Sequence, residues 1–241
     1  MAYKILSFAM APLLLTQGYF VRKNTLELPE AEGERTGIAG CGEKKLRLMV
    51  LGDSAAAGVG VANQSQALTG QILKNLTPQF NTHWQLIAAS GASTEATIST
   101  LTELPAKEFD IVMISLGVND VTANTSMRRC QKHQQALVAL LKEKFAAKSI
   151  IFSAVPPMHL MPALPQPLRW YLGARAKRLN EKLSQWLARQ NNCFLLQARE
   201  ERNPELIAED GFHPGEKYYA WWGQQAAKLI QQQAAEMTIQ P

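Results

Sequence analysis

The stretch RLMVLGDSAAAG, which spans Arg47–Gly58, is an apolar run that ends abruptly in Gly-Asp-Ser and continues in small residues. An apolar run of this length, bounded by a turn signal, predicts a buried strand. The serine at its end has two interpretations. It can cap a helix in a simple strand-to-helix turn, or it can be a nucleophile that the strand presents at the edge of a sheet.

Apolar runs and amphipathic segments alternate along the rest of the chain. The runs suited to buried parallel strands are Leu46–Leu51, Trp84–Ala89, Ile111–Leu116, Ile150–Val155 and Phe194–Leu196. The segments with helical spacing of apolar residues are roughly Gln66–Leu76, Thr94–Leu104, Met127–Phe145, Leu168–Gln190 and Glu216–Gln233. This alternation predicts an α/β fold with a five-stranded, doubly wound parallel sheet and helices on both faces. We assign residues 46–235 to this one domain.

Composition excludes some classes of protein. The 241 residues are 46% hydrophobic and carry a net charge of +5, which is unlike a disordered chain. No basic run exceeds two residues and no aromatics alternate with basic residues, so nucleic-acid binding is not expected. Cys41, Cys130 and Cys193 form neither a CxxC pair nor a metal cluster, which indicates reduced thiols and no metal site.

Residues 1–23 form an apolar segment whose longest run is Ile5–Val21, close to the lower length limit of a spanning helix. Three interpretations stay open: an anchor that spans a membrane or lies on its surface, a helix packed on the domain, and a cleaved signal peptide. Arg22 and Lys23 follow the run, so the positive-inside rule predicts a membrane-associated protein with its main domain facing the cytoplasm. A periplasmic or secreted location is the alternative, and residues 24–45 are expected to be a linker.

Polar residues and glycines collect where the predicted strands end. Ser54 ends the first strand, Gly91 follows the second, Asn119 follows the third, and Asp210 and His213 follow the last. In an open parallel sheet these carboxyl ends meet at one edge, where ligands bind. The sequence therefore brings a hydroxyl, an imidazole, a carboxylate and an amide to the same place.

These residue types are the ones that acyl transfer from an ester requires. Ser54 needs a base to take its proton, and His213 suits that role because imidazole titrates near neutral pH. Asp210, three residues earlier, can orient the imidazole and stabilise its charged form. The backbone N–H groups of Ser54 and Gly91 and the amide of Asn119 can donate to the oxyanion of the tetrahedral intermediate.

The four blocks together resemble those of the SGNH hydrolases, also called GDSL esterases/lipases. The blocks are GDS at Gly52–Ser54, SGAST with Gly91, GVND at Gly117–Asp120 and DGFHP at Asp210–Pro214. The resemblance implies a flavodoxin-like three-layer α/β/α sandwich that hydrolyses esters or thioesters without a metal or other cofactor. It also implies Ser54, Asp210 and His213 as catalytic residues, with Ser54, Gly91 and Asn119 as the oxyanion hole. Ala55 departs from the leucine that usually follows the serine.

The substrate pocket is less well defined by the sequence. Val155–Trp170 is rich in Met, Leu and Pro. It is either a loop packed over the core or a wall of an acyl pocket to which Met158, Leu160, Met161 and Leu164 contribute. The aromatic cluster Tyr218–Gly223 is expected to pack in the core.

The leading hypothesis is a serine esterase that acts on short-to-medium, lipid-like acyl esters or thioesters through an acyl-enzyme on Ser54. The small-molecule or lipid-like ester is its expected partner, with a possible membrane surface at residues 5–21. A carbohydrate O-acetylesterase is an alternative within the same chemistry. A non-catalytic, membrane-associated binding module on the same fold is the alternative outside it.

Overall fold

The computed structural model describes residues 10–239, in which strands and helices alternate around one central sheet. The strands are β1 Thr36–Ala39, β2 Lys44–Gly52, β3 Phe80–Ala88, β4 Ile111–Ser115, β5 Ser149–Ser153 and β6 Cys193–Leu196. The α-helices are α1 Ala11–Asn24, α2 Leu68–Leu76, α3 Thr94–Glu103, α4 Val118–Thr122, α5 Met127–Lys144, α6 Leu168–Leu187 and α7 Glu216–Ile239. Single 3₁₀ turns lie at Met158–Leu160 and Pro204–Leu206.

The sheet has the order β1-β3-β2-β4-β5-β6. β2 to β6 pair in parallel, with β2 between β3 and β4, so the carboxyl ends of β2 and β4 are neighbours: Gly52 lies opposite Ser115. The predicted α/β fold is confirmed, and each predicted strand and helix is present with small differences at its ends.

The predicted strand number was wrong: the sheet has six strands, because β1 adds antiparallel to the edge of β3. β1 consists of only four residues, Thr-Gly-Ile-Ala, and is mostly exposed. It therefore has no apolar run that would indicate a strand. It lies within the stretch expected to be a linker. That stretch also buries Ala31 and places Glu30 against the backbone of Ser90.

Two hydrophobic cores cover the two faces of the sheet. Leu48 and Val50 of β2 point to the face covered by α2 and α7, where Tyr219 and Trp222 are buried. Met49 and Leu51 point to the opposite face, which α3, α5 and α6 cover. The alternation along β2 follows from the two-residue period of a strand.

A third core lies at the carboxyl-end edge of the sheet. Leu14 of α1 packs there with residues of the segment between β5 and α6 and with α4, α5 and α6. Its other buried members are Val121, Cys130, Val155, Met158, Met161, Leu164, Leu168, Leu172, Ala176 and Leu179. α1 is therefore packed on the domain at the edge where the predicted site lies.

Within residues 10–239, no helix combines the length and the apolar character needed to cross a membrane. The first part of the apolar run Ile5–Val21 lies in residues 1–9, outside the described residues. Cys41 is exposed, Cys130 and Cys193 are buried, and all three are free thiols.

Candidate active site

Three of the predicted site residues form one hydrogen-bonded chain. His213 Nε2 lies 2.9 Å from Ser54 Oγ, and His213 Nδ1 lies 2.5 Å from Asp210 Oδ2. The two ring nitrogens thus connect the hydroxyl to the carboxylate. This is the geometry in which a base takes a proton from a nucleophile while a carboxylate orients it.

The turn at residues 210–213 builds the acid–base pair locally. Asp210 Oδ1 accepts hydrogen bonds from the backbone N–H groups of Phe212 and His213, at 2.9 and 3.0 Å. Burial raises the pKa of Asp210, but these hydrogen bonds and the imidazole outweigh burial, so its pKa lies below the usual value. Asp210 is therefore held as a carboxylate against the imidazole.

The position of Ser54 depends on close packing at the end of β2. A Cβ on Gly52 would lie 2.3 Å from Ala56 Cβ and 2.7 Å from Ser115 O, so only glycine fits between β2 and β4. Buried Tyr219 of α7 donates from its hydroxyl to the backbone carbonyls of Ala55 and Val59. The turn that presents the serine is thus held from both sides.

Asn119 joins the ends of three strands. Its Nδ2 donates to Ala92 O at 3.0 Å, in the turn that contains Gly91, and lies 3.5 Å from Asp53 Oδ2, next to Ser54. Gly91 has φ +79°, and nothing lies within 4 Å of a Cβ built on it. Glycine is therefore favoured at position 91 by its backbone conformation rather than by lack of space.

The neighbouring residue, Asp120, braces the same turn. Its Oδ2 accepts from the backbone N–H of Thr94 at 3.2 Å and from the Thr94 hydroxyl at 2.7 Å, and both residues are buried. Asn119 and Asp120 thus hold the two sides of the turn that carries Gly91.

Asp53 is a buried ionisable group next to Ser54, with 2% of its surface exposed. Burial raises its pKa to about 7, against the lowering effects of the Ala55 N–H and of His213. Its hydrogen bonds, from Ala55 N at 3.1 Å and from Asn119 at 3.5 Å, are long. These contacts do not offset the loss of hydration of the carboxylate.

A pocket with a volume of about 90 Å³ opens beside Ser54 and His213. Its apolar wall comes from the segment after β5, where Val155, Pro157, Leu160 and Met161 line it. Of the residues predicted for the pocket, Leu160 and Met161 line it. Met158 and Leu164 do not line the pocket and are buried in the third core instead.

Sequence reasoning did not identify several other residues that line the pocket. Ser115 and Ser153 lie at the ends of β4 and β5. Leu206 ends the 3₁₀ turn before Asp210, and Ile207 follows it. Tyr218 and Trp222 belong to α7. The serines could have been found because they lie close to the carboxyl ends of two predicted strands. The contribution of α7 to the pocket could not have been predicted, because the apolar spacing of a helix does not reveal which of its aromatic residues reaches the edge of the sheet.

The arrangement suits acyl transfer from an ester. A hydroxyl is hydrogen-bonded to an imidazole that a carboxylate orients, and the pocket beside it is mainly apolar. Residues 10–239 contain no group of three or more His, Cys, Asp or Glu that could hold a metal ion.

Comparison with known proteins gives a family and a fold. The family model described as GDSL-like Lipase/Acylhydrolase matches residues 50–221. No curated protein sequence matches the chain.

Several solved structures share the fold at low sequence identity. A member of the lipolytic protein G-D-S-L family from Veillonella parvula is 14% identical, with a TM-score of 0.61 over 77% of this chain and 98% of that one. A family 3 carbohydrate esterase from Clostridium thermocellum is 16% identical, with a TM-score of 0.61 over 80% and 98%. The psychrotrophic esterase EstA from Pseudoalteromonas sp. is 17% identical, with a TM-score of 0.54 over 77% and 97%.

Proposed function

Because the chain belongs to the GDSL-like lipase/acylhydrolase family, we propose that it is a serine esterase whose acyl-enzyme forms on Ser54. The family predicted from the four sequence blocks is confirmed, and with it a hydrolase that acts on ester bonds. The proposed substrates are carboxylic esters or thioesters with short-to-medium, lipid-like acyl groups. The observation that supports the serine mechanism best is the hydrogen-bonded chain from Ser54 through His213 to Asp210.

In the proposed reaction His213 Nε2 takes the proton of Ser54 as Oγ attacks the acyl carbon. Asp210 stabilises the imidazolium that forms. The N–H groups of Ser54 and Gly91 and the amide of Asn119 donate to the oxyanion. His213 then protonates the leaving alcohol or thiol. Water next attacks the acyl-enzyme and gives its proton to His213, which returns a proton to Ser54 Oγ as the acid leaves.

The pocket supports a modest acyl group. A volume of about 90 Å³ suits a short-to-medium acyl chain better than a long one. The wall of Val155, Leu160 and Met161 favours an aliphatic chain over a polar one.

A carbohydrate O-acetylesterase is the second candidate. An acetyl group also fits a cavity of this size, and the ion pair of Arg199 and Glu201 lies among the residues that line the pocket, where it could contact sugar hydroxyls. The carbohydrate esterase from Clostridium thermocellum shares the fold. Hydrolysis of acetylated sugars at rates above those for nitrophenyl butyrate would favour this candidate.

The test is hydrolysis of nitrophenyl esters from acetate to palmitate by the full chain. We expect turnover with a maximum at a short or medium acyl chain, its abolition by Ser54→Ala, and no change in the exposed control Ser65→Ala. A fluorophosphonate probe should label the wild-type protein and Ser65→Ala but not Ser54→Ala. Labelling or turnover that survives Ser54→Ala would refute the serine mechanism. A wild-type protein that neither reacts with the probe nor hydrolyses any ester would instead indicate the non-catalytic binding module.

A further inference from the structure

Helix α1 exposes apolar side chains to solvent on the side away from the third core. Leu14 and Val21, seven positions apart, face the core. Leu15 is 75% exposed and Tyr19, four positions later, is 62% exposed. Leu13 and Phe20 are also about half exposed. Exposed large apolar residues grouped on one short helix form a patch of the kind that marks an interaction surface.

The exposed face of α1 presents few free polar groups. The Thr16 hydroxyl donates to Pro12 O at 2.9 Å, so its hydrogen is directed at the helix backbone. Tyr19 and Phe20 contact each other edge to face, with ring centroids 5.6 Å apart. α1 thus presents aliphatic and aromatic groups, and Arg22 and Lys23 follow them in the last turn.

α1 is joined directly to the segment that walls the pocket. The Gln17 side chain donates to Gln166 O at 2.7 Å and accepts from Leu168 N at 3.1 Å. The same segment carries Leu160 and Met161, which line the pocket beside Ser54. A surface that binds α1 is therefore held next to the pocket wall.

The segments that build most of the third core around α1 carry cations and no acidic residues. Residues 10–26, 121–142 and 144–180, which supply most of the third core, contain no Asp or Glu. The cations they bring to this end of the domain are Arg22, Lys23, Arg128, Arg129, Lys132, Arg169, Arg175, Lys177 and Arg178. Arg129 pairs with Glu95 of α3, and Arg175 donates to Thr125 O. An apolar helix packed against segments that carry cations and no Asp or Glu is complementary to an anionic surface.

The length of α1 decides its orientation on such a surface. Its 14 residues extend about 21 Å, less than the hydrocarbon thickness of about 30 Å. Because Leu14, Gln17 and Val21 hold it against the domain, it can only lie along the surface with its exposed side chains inserted. Arg22 and Lys23 then reach the headgroups.

We propose that α1 is an interfacial docking helix that binds an anionic lipid surface and holds the pocket wall at that surface. A second copy of this chain is a poorer occupant. A symmetric contact would bring α1 and the cations around it against the same cations of the other copy. The docking rests on α1 and its surroundings and not on the proposed esterase reaction.

The experiment is flotation of the full chain with vesicles of phosphatidylcholine alone or with about one-third phosphatidylglycerol. The wild-type protein should float with the anionic vesicles. Leu15→Glu should lower the bound-to-free ratio at least about tenfold, since it places a charge where an aliphatic side chain inserts. The matched control Ile38→Glu, at the 63% exposed apolar residue of β1, should bind like wild type. Tyr19→Glu is an independent variant of the same face.

A charge-neutralising pair tests the electrostatic part. Arg22→Gln/Lys23→Gln should weaken binding to anionic vesicles about fivefold for each charge. Lys44→Gln/Lys45→Gln, at the start of β2, should have little effect. Melting temperature and hydrolysis of a water-soluble ester report whether each variant is folded, and both should match wild type. These readouts also separate loss of docking from loss of the proposed activity.

Two outcomes would overturn the proposal. One is a wild-type chain that does not bind anionic vesicles, or binds them as well after Leu15→Glu and Tyr19→Glu. The other is a wild-type dimer in light scattering that the same variants convert to a monomer without any vesicle binding, which would make this face a dimer interface.

Discussion

Two regions meet at the pocket and are held by different forces. One region is the polar rim of the pocket, which consists of Asp53, Ser54, Asn119, Asp210 and His213. Hydrogen bonds between side chains and to strand ends position it. The apolar wall, residues 155–164, is positioned mainly by packing, since Met158, Met161 and Leu164 are buried in the third core, and hydrogen bonds of Val155 and Ala163 add to it. Hydrogen bonds have directions and fix atoms, whereas apolar packing fixes volumes.

The difference separates chemistry from selectivity. A change in the polar rim should slow the reaction with every acyl chain alike, because the reacting atoms are the same. A change in the apolar wall should alter which acyl chain reacts best and leave acetate almost unaffected.

The largest effect is expected for Asp210→Asn. The amide keeps the shape of the carboxylate but cannot stabilise the imidazolium, and it favours the wrong tautomer of His213. Comparable substitutions lower kcat by about 10⁴. Steady-state hydrolysis of nitrophenyl acetate and octanoate should fall by the same factor. Glu209→Gln, at the adjacent exposed acid, is the matched control and should keep full activity. Unequal losses on the two esters would contradict the separation of chemistry in the polar rim from selectivity in the apolar wall.

Asp53 should produce a pH dependence of stability. An unfolded aspartate titrates near 3.9, whereas burial raises the Asp53 pKa to about 7 in the folded protein. Between these values the native state holds a proton that the unfolded state has released. The contribution of Asp53 to the free energy of unfolding is therefore fully present below pH 4 and is lost as the pH rises to 7. The loss is on the order of 4 kcal/mol.

Urea unfolding of wild type and Asp53→Asn between pH 4 and 8 measures this contribution. The neutral amide has no proton to lose, so the wild-type curve should fall relative to the variant curve as the pH rises. Parallel curves would mean that the carboxyl is as well stabilised in the rim as in water.

Asn119→Ala should lower kcat about 10²- to 10³-fold, the usual effect of removing one oxyanion donor. It also removes the hydrogen bond to Ala92 O that holds the Gly91 turn. KM should change little, because the oxyanion exists only in the transition state. Asn191→Ala, on an exposed turn, is the control. A rise in KM at unchanged kcat would assign Asn119 to substrate binding instead.

The sequence predicted the polar rim far better than the wall. Ser54 and Asn119 come shortly after β2 and β4, and a parallel sheet brings such strand ends together whatever the details of packing. Asp210 and His213 lie in the turn before α7, and their spacing in one short block marked them as a pair. Strand β1 was missed because Thr36–Ala39 is short, is mostly exposed and contains no apolar run. In the wall, Met158 and Leu160 are both apolar, and only the 3₁₀ turn decides that one is buried and the other faces the pocket.

The smallest effect is expected for Leu160→Trp, which changes the wall alone. Leu160 lines the pocket and is half-buried, so the indole can occupy acyl space without disturbing the third core. The ratio of kcat/KM for octanoate to that for acetate should fall about tenfold, the scale on which apolar pockets discriminate chain lengths. Acetate hydrolysis should stay within about twofold of wild type, and Ile38→Trp on β1 should leave the whole profile unchanged. The wall is joined to the catalytic turn by the hydrogen bond from Ala163 N–H to Gly211 O, at 3.0 Å, and a parallel loss on both esters would show that wall and rim move as one unit.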